Sequence, residues 1–409
     1  MRLSTLLGRI PEQSFYGRKF SGLALAESTT LEDFQDRCPF TLKSEFVADQ
    51  SHFPPYGSNH LEPLERFTRF HQTSGTTGTP LRWLDTNESW NSMVESWTRV
   101  FQAAGVSSSD RVLFAFSFGP FLGFWLAFEA GQRIGALCLP AGGLSSVARL
   151  RMLLDNEVTA LCCTPTYALR LAEVAAREKI DLCASKIRLI MVAGEPGGSI
   201  PATREQLSGL WNGARIFDHH GMTEVGPVTY ECPKTPGTLH VIDDAYLAEV
   251  CIPGSSKLAA VGEAGELILT TLTRLGSPAI RYRTGDLVRA EKAIQPCLCG
   301  SCETRLVGGI LGRIDDMVIV RGVNLYPSAI EDLILRHRGV REYQVILQQV
   351  SGMTDLRMEI EAVAEAPNTL AHDLELALQS AFSLRVPVVI VPAGTLPRSE
   401  MKAKRWVRK

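Results

Sequence analysis

His71-Gln72-Thr73-Ser74-Gly75-Thr76-Thr77-Gly78-Thr79-Pro80 is a polar, glycine-containing segment between two apolar runs at 67–70 and 81–84. The runs predict short strands and the segment predicts a turn between them. Gly75 and Gly78 lack the β-carbons that would keep the backbone away from a ligand, so backbone N–H groups can point at an anion. Additional hydroxyl donors are Ser74, Thr76, Thr77 and Thr79. The segment therefore predicts a phosphate-binding loop.

The composition of this loop allows two other interpretations. It is not a P-loop of the strand–GxxxxGK[ST]–helix type, because no lysine follows the second glycine and the chain continues as a strand. A Ser/Thr/Gly linker is the common reading of such a composition. An uncharged segment held between two apolar strands fits a linker poorly, so the phosphate site is favoured.

The composition bounds the class of protein. A chain of 409 residues predicts a large domain plus a smaller one, and 45% hydrophobic with 21% charged residues predicts a soluble globular protein. The net charge of −2 gives no reason to expect a nucleic acid or an anionic membrane as a partner. Residues 1–10 lack the apolar core of a signal peptide, and the apolar region 112–140 is interrupted by polar residues and proline. We expect a cytoplasmic protein.

The order of predicted elements gives the fold class. Residues 1–66 predict an irregular, partly helical lead-in without chemistry. Short apolar strands then alternate with helices of about ten residues, which is typical of a doubly wound parallel sheet. The predicted helices are 88–104, 121–131, 146–155, 165–177 and 201–210. The predicted strands are 111–117, 135–139, 159–163, 187–193 and 214–217.

The second half of the chain predicts a different arrangement of strands and helices. Residues 229–290 predict a β subdomain, and a break near 312–316 precedes a compact α+β tail. The expected fold class is therefore α/β: a large N-terminal domain with doubly wound, mostly parallel sheets and a β subdomain, plus a small C-terminal α+β domain. The expected domains are residues 1–312 and 313–409.

Two carboxylates follow predicted strands, where ligands of such sheets bind. Glu224 ends the segment Asp218-His219-His220-Gly221-Met222-Thr223-Glu224, and a carboxylate beside phosphates is suited to Mg²⁺. Alone it would be read as a solvated side chain, but the loop at 73–79 favours the metal. Asp286 ends Tyr282-Arg283-Thr284-Gly285-Asp286, where it can accept both hydroxyls of a ribose. This second signal is weak by itself, since Thr-Gly-Asp turns are common.

Taken together, these motifs resemble the phenylacetate–CoA ligase family of the adenylate-forming (acyl-CoA synthetase and luciferase) superfamily. The resemblance covers nearly the whole chain. The segments that carry it are 73–80, 163–167, 194–196, 221–224, 282–286, 312–317, 321–327 and 397–405. It implies that ATP and a carboxylic acid form an acyl-adenylate and pyrophosphate, after which a thiol, usually that of CoA, displaces AMP.

The resemblance also implies individual roles. Lys402 would bridge the acyl carboxylate and the α-phosphate, where negative charge accumulates. Glu224 would hold Mg²⁺, Thr223 beside it is a further catalytic candidate, and Asp315 would be the hinge of the C-terminal domain. Asp286, assisted by Arg313, would bind the ribose. The residues expected around ATP or AMP are Ser74, Gly75, Thr76, Thr77, Gly78, Thr79, Gly194, Glu195, Pro196, His219, His220, Asp286 and Arg313.

The sequence departs from the family pattern at two positions. Family members usually have an aromatic residue, often tyrosine, where His220 precedes Gly221, so the wall of the adenine pocket is altered. Met401 stands where a glycine usually precedes the catalytic lysine, and a side chain there restricts φ. A solvated tail lysine is the alternative for Lys402, but the context of residues 397–405 favours catalysis.

Four cysteines and a histidine in the β subdomain suggest a metal site. Thiolates and an imidazole in loops are the ligands of a tetrahedral structural Zn²⁺. The spacing C-x-C-x₂-C is tighter than in standard zinc knuckles, so reduced, unliganded cysteines stay open as an alternative. The candidates are Cys232, His240, Cys297, Cys299 and Cys302. Four ligands close a structural site, and Cys302 is taken as the surplus one.

The acid would bind near Phe118, Phe121 and Phe124, with Ala193 and His219 nearby and Gly221 beside them. The resemblance suggests an aryl or arylacetic acid. Alternatively, most of these phenylalanines only pack a helix against the sheet.

Three hypotheses of function remain. The first is an AMP-forming acid–CoA ligase; the second adenylates an acid and loads a carrier-protein thiol; the third is a nucleotide-binding protein with a degenerate site. A homodimer stays open in each case.

Overall fold

The computed structural model describes residues 2–23, 25, 28–73, 79–291, 295–321, 323–337, 339–350, 353–398 and 405–408. Three buried apolar clusters organise this part of the chain. Two lie on opposite faces of a parallel sheet, and the third lies in the C-terminal part.

Four helices and a two-stranded antiparallel hairpin lead into the parallel sheet. The helices are α1 (Arg2–Leu7), α2 (Phe15–Lys19), α3 (Leu31–Arg37) and α4 (Lys43–His52), and the hairpin strands are β1 (Phe67–Gln72) and β2 (Arg82–Thr86). The hairpin confirms the strands predicted on either side of the phosphate loop. The lead-in is more ordered than predicted, because Tyr16, Phe34 and Phe46 are buried in the main core.

A five-stranded parallel sheet forms the centre of the N-terminal part, in the order β4-β3-β5-β6-β7. Its strands are β3 (Arg111–Phe114), β4 (Leu137–Pro140), β5 (Ala160–Cys163), β6 (Leu189–Val192) and β7 (Arg215–Asp218). The helices are α5 (Asn87–Ala103), α6 (Leu122–Ile134), α7 (Ser146–Asp155), α8 (Pro165–Arg177) and α9 (Pro201–Leu210). Phe114 and Cys162 face the cluster containing α5 and α6, whereas Leu113 and Leu161 face that of α7 to α9. Helices on both faces confirm the doubly wound class.

Local sequence explains where these helices begin and end. The side-chain hydroxyl of Thr86 accepts the N–H of Ser89 and begins α5, and Thr164 caps α8 in the same way ahead of Pro165. Helix α6 ends at Gly135, whose φ of +88° is easy only for glycine. Such caps fix the helix ends and therefore the loops at the carboxyl ends of the strands.

A six-stranded antiparallel sheet follows, in the order β10-β11-β15-β14-β13-β12. Its strands are β10 (Thr229–Glu231), β11 (Thr238–Val241), β12 (Tyr246–Cys251), β13 (Ala264–Thr271), β14 (Tyr282–Glu291) and β15 (Arg305–Arg313). A small hairpin precedes it, made of β8 (Gly221–Met222) and β9 (Gly226–Pro227). The sheet matches the predicted β subdomain and extends it to Arg313.

The C-terminal part has its own core around a four-stranded mixed sheet, in the order β20-β19-β18-β21. Its elements are β16 (Val318–Val320), β17 (Val323–Leu325), α10 (Pro327–Leu335), β18 (Val340–Val350), β19 (Met353–Ala362), α11 (Leu370–Phe382), β20 (Val388–Val391) and β21 (Trp406–Arg408). The sequence predicted the α+β character but neither β17 nor β21.

Candidate active site and metal centre

Asp286 is a buried carboxylate held by two partners. His220 Nε2 lies 2.8 Å from its Oδ2, and Arg313 Nη1 donates to its Oδ1 at 2.9 Å. Arg313 is opposite Asp286 in the register of β14 and β15. Gly285 has a φ of +75°, and a β-carbon there would lie 3.0 Å from the Arg313 guanidinium. The Thr-Gly-Asp turn therefore needs its glycine to bring Arg313 onto Asp286.

The two histidines before Gly221 have different environments. The backbone N–H of His220 donates to Thr229 Oγ1 at 2.8 Å, which fixes the imidazole beside Asp286. His219 is buried and contacts the Trp97 ring edge to face, with centroids 4.2 Å apart. Burial lowers the pKa of His219 to about 3, so this imidazole is neutral at neutral pH. Of the two, only His220 reaches the polar site.

Gly221 allows the close approach of two backbone segments. It lies in β8, and a β-carbon on it would lie 2.7 Å from the carbonyl oxygen of Gly226. Any side chain at this position would push apart the hairpin that carries Thr223 and Glu224.

Glu224 is buried and pairs with two residues from distant parts of the chain. Lys43 Nζ lies 3.1 Å from its Oε1, and the Tyr282 hydroxyl donates to the same oxygen at 3.4 Å. Burial raises the pKa of Tyr282 well above its usual value, so that its hydroxyl keeps the proton it donates. Sequence reasoning missed Lys43, since it lies in the lead-in.

Arg274 ties the Glu224 segment to the hairpin of the phosphate loop. Its guanidinium donates to both oxygens of the buried Asp85 on β2, at 2.6 and 2.7 Å, and to the carbonyl oxygen of Thr223 at 2.7 Å. Because Arg274 is itself almost fully buried, these bonds form a rigid bridge. Sequence reasoning missed this residue as well.

The phosphate loop has an ordered base. The Thr73 N–H donates to the Leu81 carbonyl at 2.9 Å, and the Leu81 N–H donates to Thr73 Oγ1 at 3.0 Å. Thr79 is exposed. The predicted phosphate-binding residues Ser74, Gly75, Thr76, Thr77 and Gly78 lie outside the described residues.

Ala193 and the segment Gly194-Glu195-Pro196 leave the carboxyl end of β6, as predicted. Gly194 has a φ of +89°, and Pro196 is exposed. Glu195 Oε1 accepts the backbone N–H of Thr166 at 2.8 Å, in the first turn of α8. This carboxylate thereby fixes the loop to the N-terminus of α8.

The predicted acid-binding phenylalanines belong to an aromatic group at the carboxyl end of β3. Phe124 stacks on Phe116 with centroids 3.9 Å apart, and Phe121 contacts Phe124 at 6.0 Å. Phe118 packs against the main core and meets Trp125 edge to face. The Gln72 N–H donates to the Pro120 carbonyl at 2.8 Å, which joins this group to the base of the phosphate loop.

Lys402 lies outside the described residues, but the segment leading to it is well anchored. Glu361 on β19 accepts the backbone N–H groups of Gly394 and Leu396 at 2.9 and 2.7 Å. It also accepts Arg398 Nη2 at 2.6 Å. Asp315, the predicted hinge, is exposed and lies 3.4 Å from Arg313 Nη2.

The predicted metal ligands come together at the edge of the six-stranded sheet. The ligand atoms of Cys232, His240, Cys297 and Cys299 all lie within 4.8 Å of one another. Cys232 and Cys297 Sγ are 3.6 Å apart, and Cys299 Sγ is 3.4 Å from His240 Nε2. Ligands of a tetrahedral zinc are spaced by about 3.6–3.8 Å when Zn–S is about 2.3 Å and Zn–N about 2.0 Å. Cys302 is exposed and lies outside this cluster.

Comparison with known proteins places the chain in a family. The family model described as AMP-binding enzyme matches residues 68–271, and that of the AMP-binding enzyme C-terminal domain matches residues 322–409. Phenylacetate-coenzyme A ligase of Escherichia coli (strain K12) is 31% identical over 401 residues, covering 95% of this chain and 85% of the relative. The chain belongs to the phenylacetate–CoA ligase family of AMP-binding enzymes. The resemblance seen in the sequence is thus confirmed.

Two solved states of 2-hydroxyisobutyryl-CoA ligase resemble this family member, and their TM-scores differ. The post-adenylation state with 2-HIB-AMP gives a TM-score of 0.93 at 27% identity, covering 100% of this chain and 88% of that one. The thioesterification state with 2-HIB-AMP and CoA gives a TM-score of 0.73 at 28% identity, with the same coverage.

Among the helices that the structure describes, none is long and apolar enough to cross a membrane.

Proposed function

We propose that this family member, an ATP-dependent, AMP-forming acid–CoA ligase, activates an aryl or arylacetic acid. The observation that carries the proposal is that β14 links the two polar groups of the site, because its Asp286 contacts His220 and its Tyr282 donates to Glu224. The aromatic group around Phe121 and Phe124 offers stacking surfaces for a ring. Similarity to a phenylacetate-CoA ligase supports the same class of acid.

The nucleotide is assigned to residues on three loops and to Lys402. Asp286 would bind the ribose hydroxyls, and Gly194-Glu195-Pro196 with His220 would flank the adenine. Glu224 and Thr223 would hold Mg²⁺, whose preferred ligands are such hard oxygens together with substrate phosphates. When bound, the ion would neutralise charge on the phosphates during adenylate formation. Lys402 is proposed to contact the acyl carboxylate and the α-phosphate.

We further propose that residues 313–409 rotate about Asp315 between adenylation and thioester formation. This chain fits one state of 2-hydroxyisobutyryl-CoA ligase much better than the other, with TM-scores of 0.93 and 0.73 at nearly equal identity. Two different overall fits to one relative at nearly equal identity and coverage support a change in domain arrangement. The higher TM-score with the post-adenylation state supports assigning that arrangement to this chain.

A structural Zn²⁺ is proposed for the site of Cys232, His240, Cys297 and Cys299. Three thiols and one imidazole are the donor set of closed structural zinc sites. The turn that presents Cys297 and Cys299 has a hydrogen bond from the Gly300 N–H to the Cys297 carbonyl at 2.7 Å, and Gly300 has a φ of +87°. The ion would connect this turn with β10 and β11.

ATP–pyrophosphate exchange with a panel of acids tests the substrate class. Phenylacetate and benzoate should support the fastest exchange, and CoA should then yield the thioester and AMP. The highest kcat/KM with the aliphatic 2-hydroxyisobutyrate would refute the aromatic assignment. Exchange without thioester formation from CoA would instead favour a carrier-protein thiol as the acceptor.

A further inference from the structure

We propose that Glu303 is a positioning residue that joins the metal centre to helix α5. The inference rests on the zinc site proposed above. The Glu303 side chain is only 12% exposed, and its Oε1 lies 2.6 Å from Arg99 Nη2 on α5. Its Oε2 accepts the Tyr230 hydroxyl at 2.5 Å and the Ser301 hydroxyl at 3.0 Å. One carboxylate thus binds donors from α5, from β10 and from the turn at residues 297–302, here called the cysteine turn.

Ser301 connects Glu303 to the cysteine turn. The Cys297 N–H donates to the Ser301 carbonyl at 2.8 Å, which closes the turn. The Ser301 hydroxyl oxygen also accepts the backbone N–H of Glu303 at 3.1 Å. Because Ser301 bonds both the backbone and the carboxylate of Glu303, a displacement of Glu303 would also displace the turn that presents Cys297.

Tyr230 connects Glu303 to the imidazole of the metal site. Tyr230 is opposite His240 in the register of β10 and β11, and the two rings stack with centroids 5.3 Å apart and an interplanar angle of 26°. The Arg99 guanidinium lies 5.5 Å from the centroid of the same tyrosine ring. Groups that orient a metal-binding imidazole without touching the ion change metal affinity by about 10–100-fold when they are mutated. Glu303 holds the hydroxyl end of Tyr230 and should therefore affect zinc binding in this way.

Helix α5 continues from this contact to the candidate active site. Trp97 contacts the His219 ring edge to face, with centroids 4.2 Å apart. Met93 lies against Gly226 of the β8–β9 hairpin, where a β-carbon would be 2.8 Å from the methionine sulfur. This hairpin carries Glu224. One helix therefore touches the metal centre near its C-terminal end and two segments of the active site further back along its length.

Arg99 has a second carboxylate partner, which provides a matched control. Its Nη1 lies 3.6 Å from Asp244 Oδ2, and the Asp244 side chain is 77% exposed. Exposed ion pairs contribute little, whereas charge-assisted hydrogen bonds to a mostly buried carboxylate are stronger. Glu303 is therefore the partner that fixes Arg99, and Asp244 is not.

Hydrogen–deuterium exchange of the full chain, as purified and after zinc removal with a chelator, tests the coupling. In the wild type, chelation should raise amide exchange about tenfold both in residues 297–302 and in α5, the effect of one weakened charge-assisted hydrogen bond. Arg99→Met should abolish the response of α5 and keep that of the cysteine turn. Arg99→Lys keeps the positive charge and should restore most of the response of α5. Asp244→Asn should respond like the wild type.

Zinc affinity, measured by competition with a chromogenic chelator, is a second readout. Glu303→Gln should weaken zinc binding about tenfold, and Asp244→Asn should leave it unchanged. Tyr230→Phe keeps the ring that stacks on His240 and removes only the hydroxyl, so it tests the same link should Glu303→Gln fail to fold. Unchanged zinc affinity in folded Glu303→Gln, or in Tyr230→Phe where Glu303→Gln does not fold, would overturn the role of Glu303.

The exchange experiment also separates this inference from the proposed zinc site. If chelation raises exchange in residues 297–302 but α5 does not respond, or responds alike in wild type and Arg99→Met, the coupling is wrong and the zinc site stands. If the purified chain holds no zinc and chelation changes neither segment, the proposed zinc site fails and the inference fails with it.

Discussion

The side chain of Asp286 is held in one orientation by its neighbours. One oxygen of its carboxylate faces His220 and the other accepts from Arg313, so that the side chain is oriented before any ligand arrives. A group fixed in advance loses less conformational entropy on binding. His220 is thus a direct hydrogen-bonding partner of Asp286, the residue proposed to bind the ribose. The family usually has an aromatic residue at this position.

Glu361 is a buried carboxylate of a different kind. Burial alone would raise its pKa, but the Arg398 guanidinium and the backbone N–H groups of Gly394 and Leu396 outweigh burial and hold the pKa at about 2. These donors lie on the segment that leads to Lys402. The ionised carboxylate therefore organises the approach to the proposed catalytic lysine.

Replacing Glu361 by glutamine should reduce the free energy of unfolding by about 1.5–3 kcal/mol at neutral pH, the value of a hydrogen bond to a charged group. The folded pKa lies below the unfolded value of about 4.3, so this stabilisation is complete above that pH and is lost as the pH falls toward 2. Denaturant unfolding of wild type and variant from pH 7 to 2.5 measures the difference. It should shrink toward acid pH.

Glu359→Gln is the matched control on the same strand. Glu359 pairs with the exposed Arg357, and such pairs contribute little. A difference between wild type and Glu361→Gln that stayed constant from pH 7 to 2.5 would contradict the assigned ionisation of Glu361.

The sequence predicted the candidate site residues that lie in contiguous motifs. It missed those that reach the site through contacts between distant segments. The Thr-Gly-Asp and Met-Thr-Glu motifs indicated Asp286 and Glu224 directly. Lys43 and Arg274 carry no local pattern, and each reaches the site through contacts between segments far apart in the chain. Nothing in residues 1–66 distinguishes Lys43 from other surface lysines until the fold is known.

At the scale of elements, the cysteine turn before β15 is the clearest case in which a ligand would stabilise a local structure. Cys297 and Cys299 lie on the turn, Cys232 follows β10, and His240 lies on β11. A metal bound by all four would join three segments of the same sheet. Its binding free energy would then contribute to folding.

Protein purified without chelator should contain about one zinc per chain, the content of a closed four-ligand site. Cys297→Ser and Cys299→Ser should each lose the metal and melt at a lower temperature, because the binding free energy is lost. Elemental analysis and thermal denaturation measure the two effects. Cys302→Ser is the matched control and should retain both zinc and stability.

Zinc-free wild-type protein, or equal zinc loss in Cys302→Ser and Cys297→Ser, would contradict the proposed ligand set.

Element types were predictable because local and tertiary preferences agree in most of the chain. Helices α7, α8 and α9 have the bounds that the sequence predicted, since caps or an initial proline coincide with an apolar stripe. Strands β17 and β21 were missed. Each has only three residues and forms by pairing with a neighbour, β16 in one case and β18 in the other. Such pairing is not encoded in a short local pattern.

At the scale of the whole molecule, a polar contact joins the C-terminal part to the N-terminal part. Arg398 Nε lies 3.8 Å from Glu173 on α8, and the Ser328 hydroxyl on α10 donates to the Leu311 carbonyl on β15. The three apolar clusters remain separate, with the third confined to the C-terminal part. A contact of this kind can be broken without exposing a core, as a rotating domain requires.

The proposed hinge lies just after the last strand of the N-terminal sheet. Strand β15 ends at Arg313, the Ile314 N–H still donates to the Gly285 carbonyl at 2.7 Å, and β16 begins at Val318. Asp315 is thus an exposed residue between a segment that is bonded to the Asp286 strand and a segment that belongs to the C-terminal core. A rotation concentrated there would leave Asp286 in place.

Asp315→Pro should therefore separate the two half-reactions. Proline fixes φ near −65°, which restricts the rotation at this residue and holds the arrangement seen here. Acyl-adenylate formation, measured by ATP–pyrophosphate exchange, should stay near the wild-type rate. Transfer of pre-formed acyl-adenylate to CoA should fall by about tenfold or more, a barrier increase of about 1.4 kcal/mol or greater. Asp315→Ala leaves φ free and should retain both steps. Equal loss of both half-reactions in a proline variant that melts like the wild type would show that alternation about Asp315 is the wrong description of this ligase.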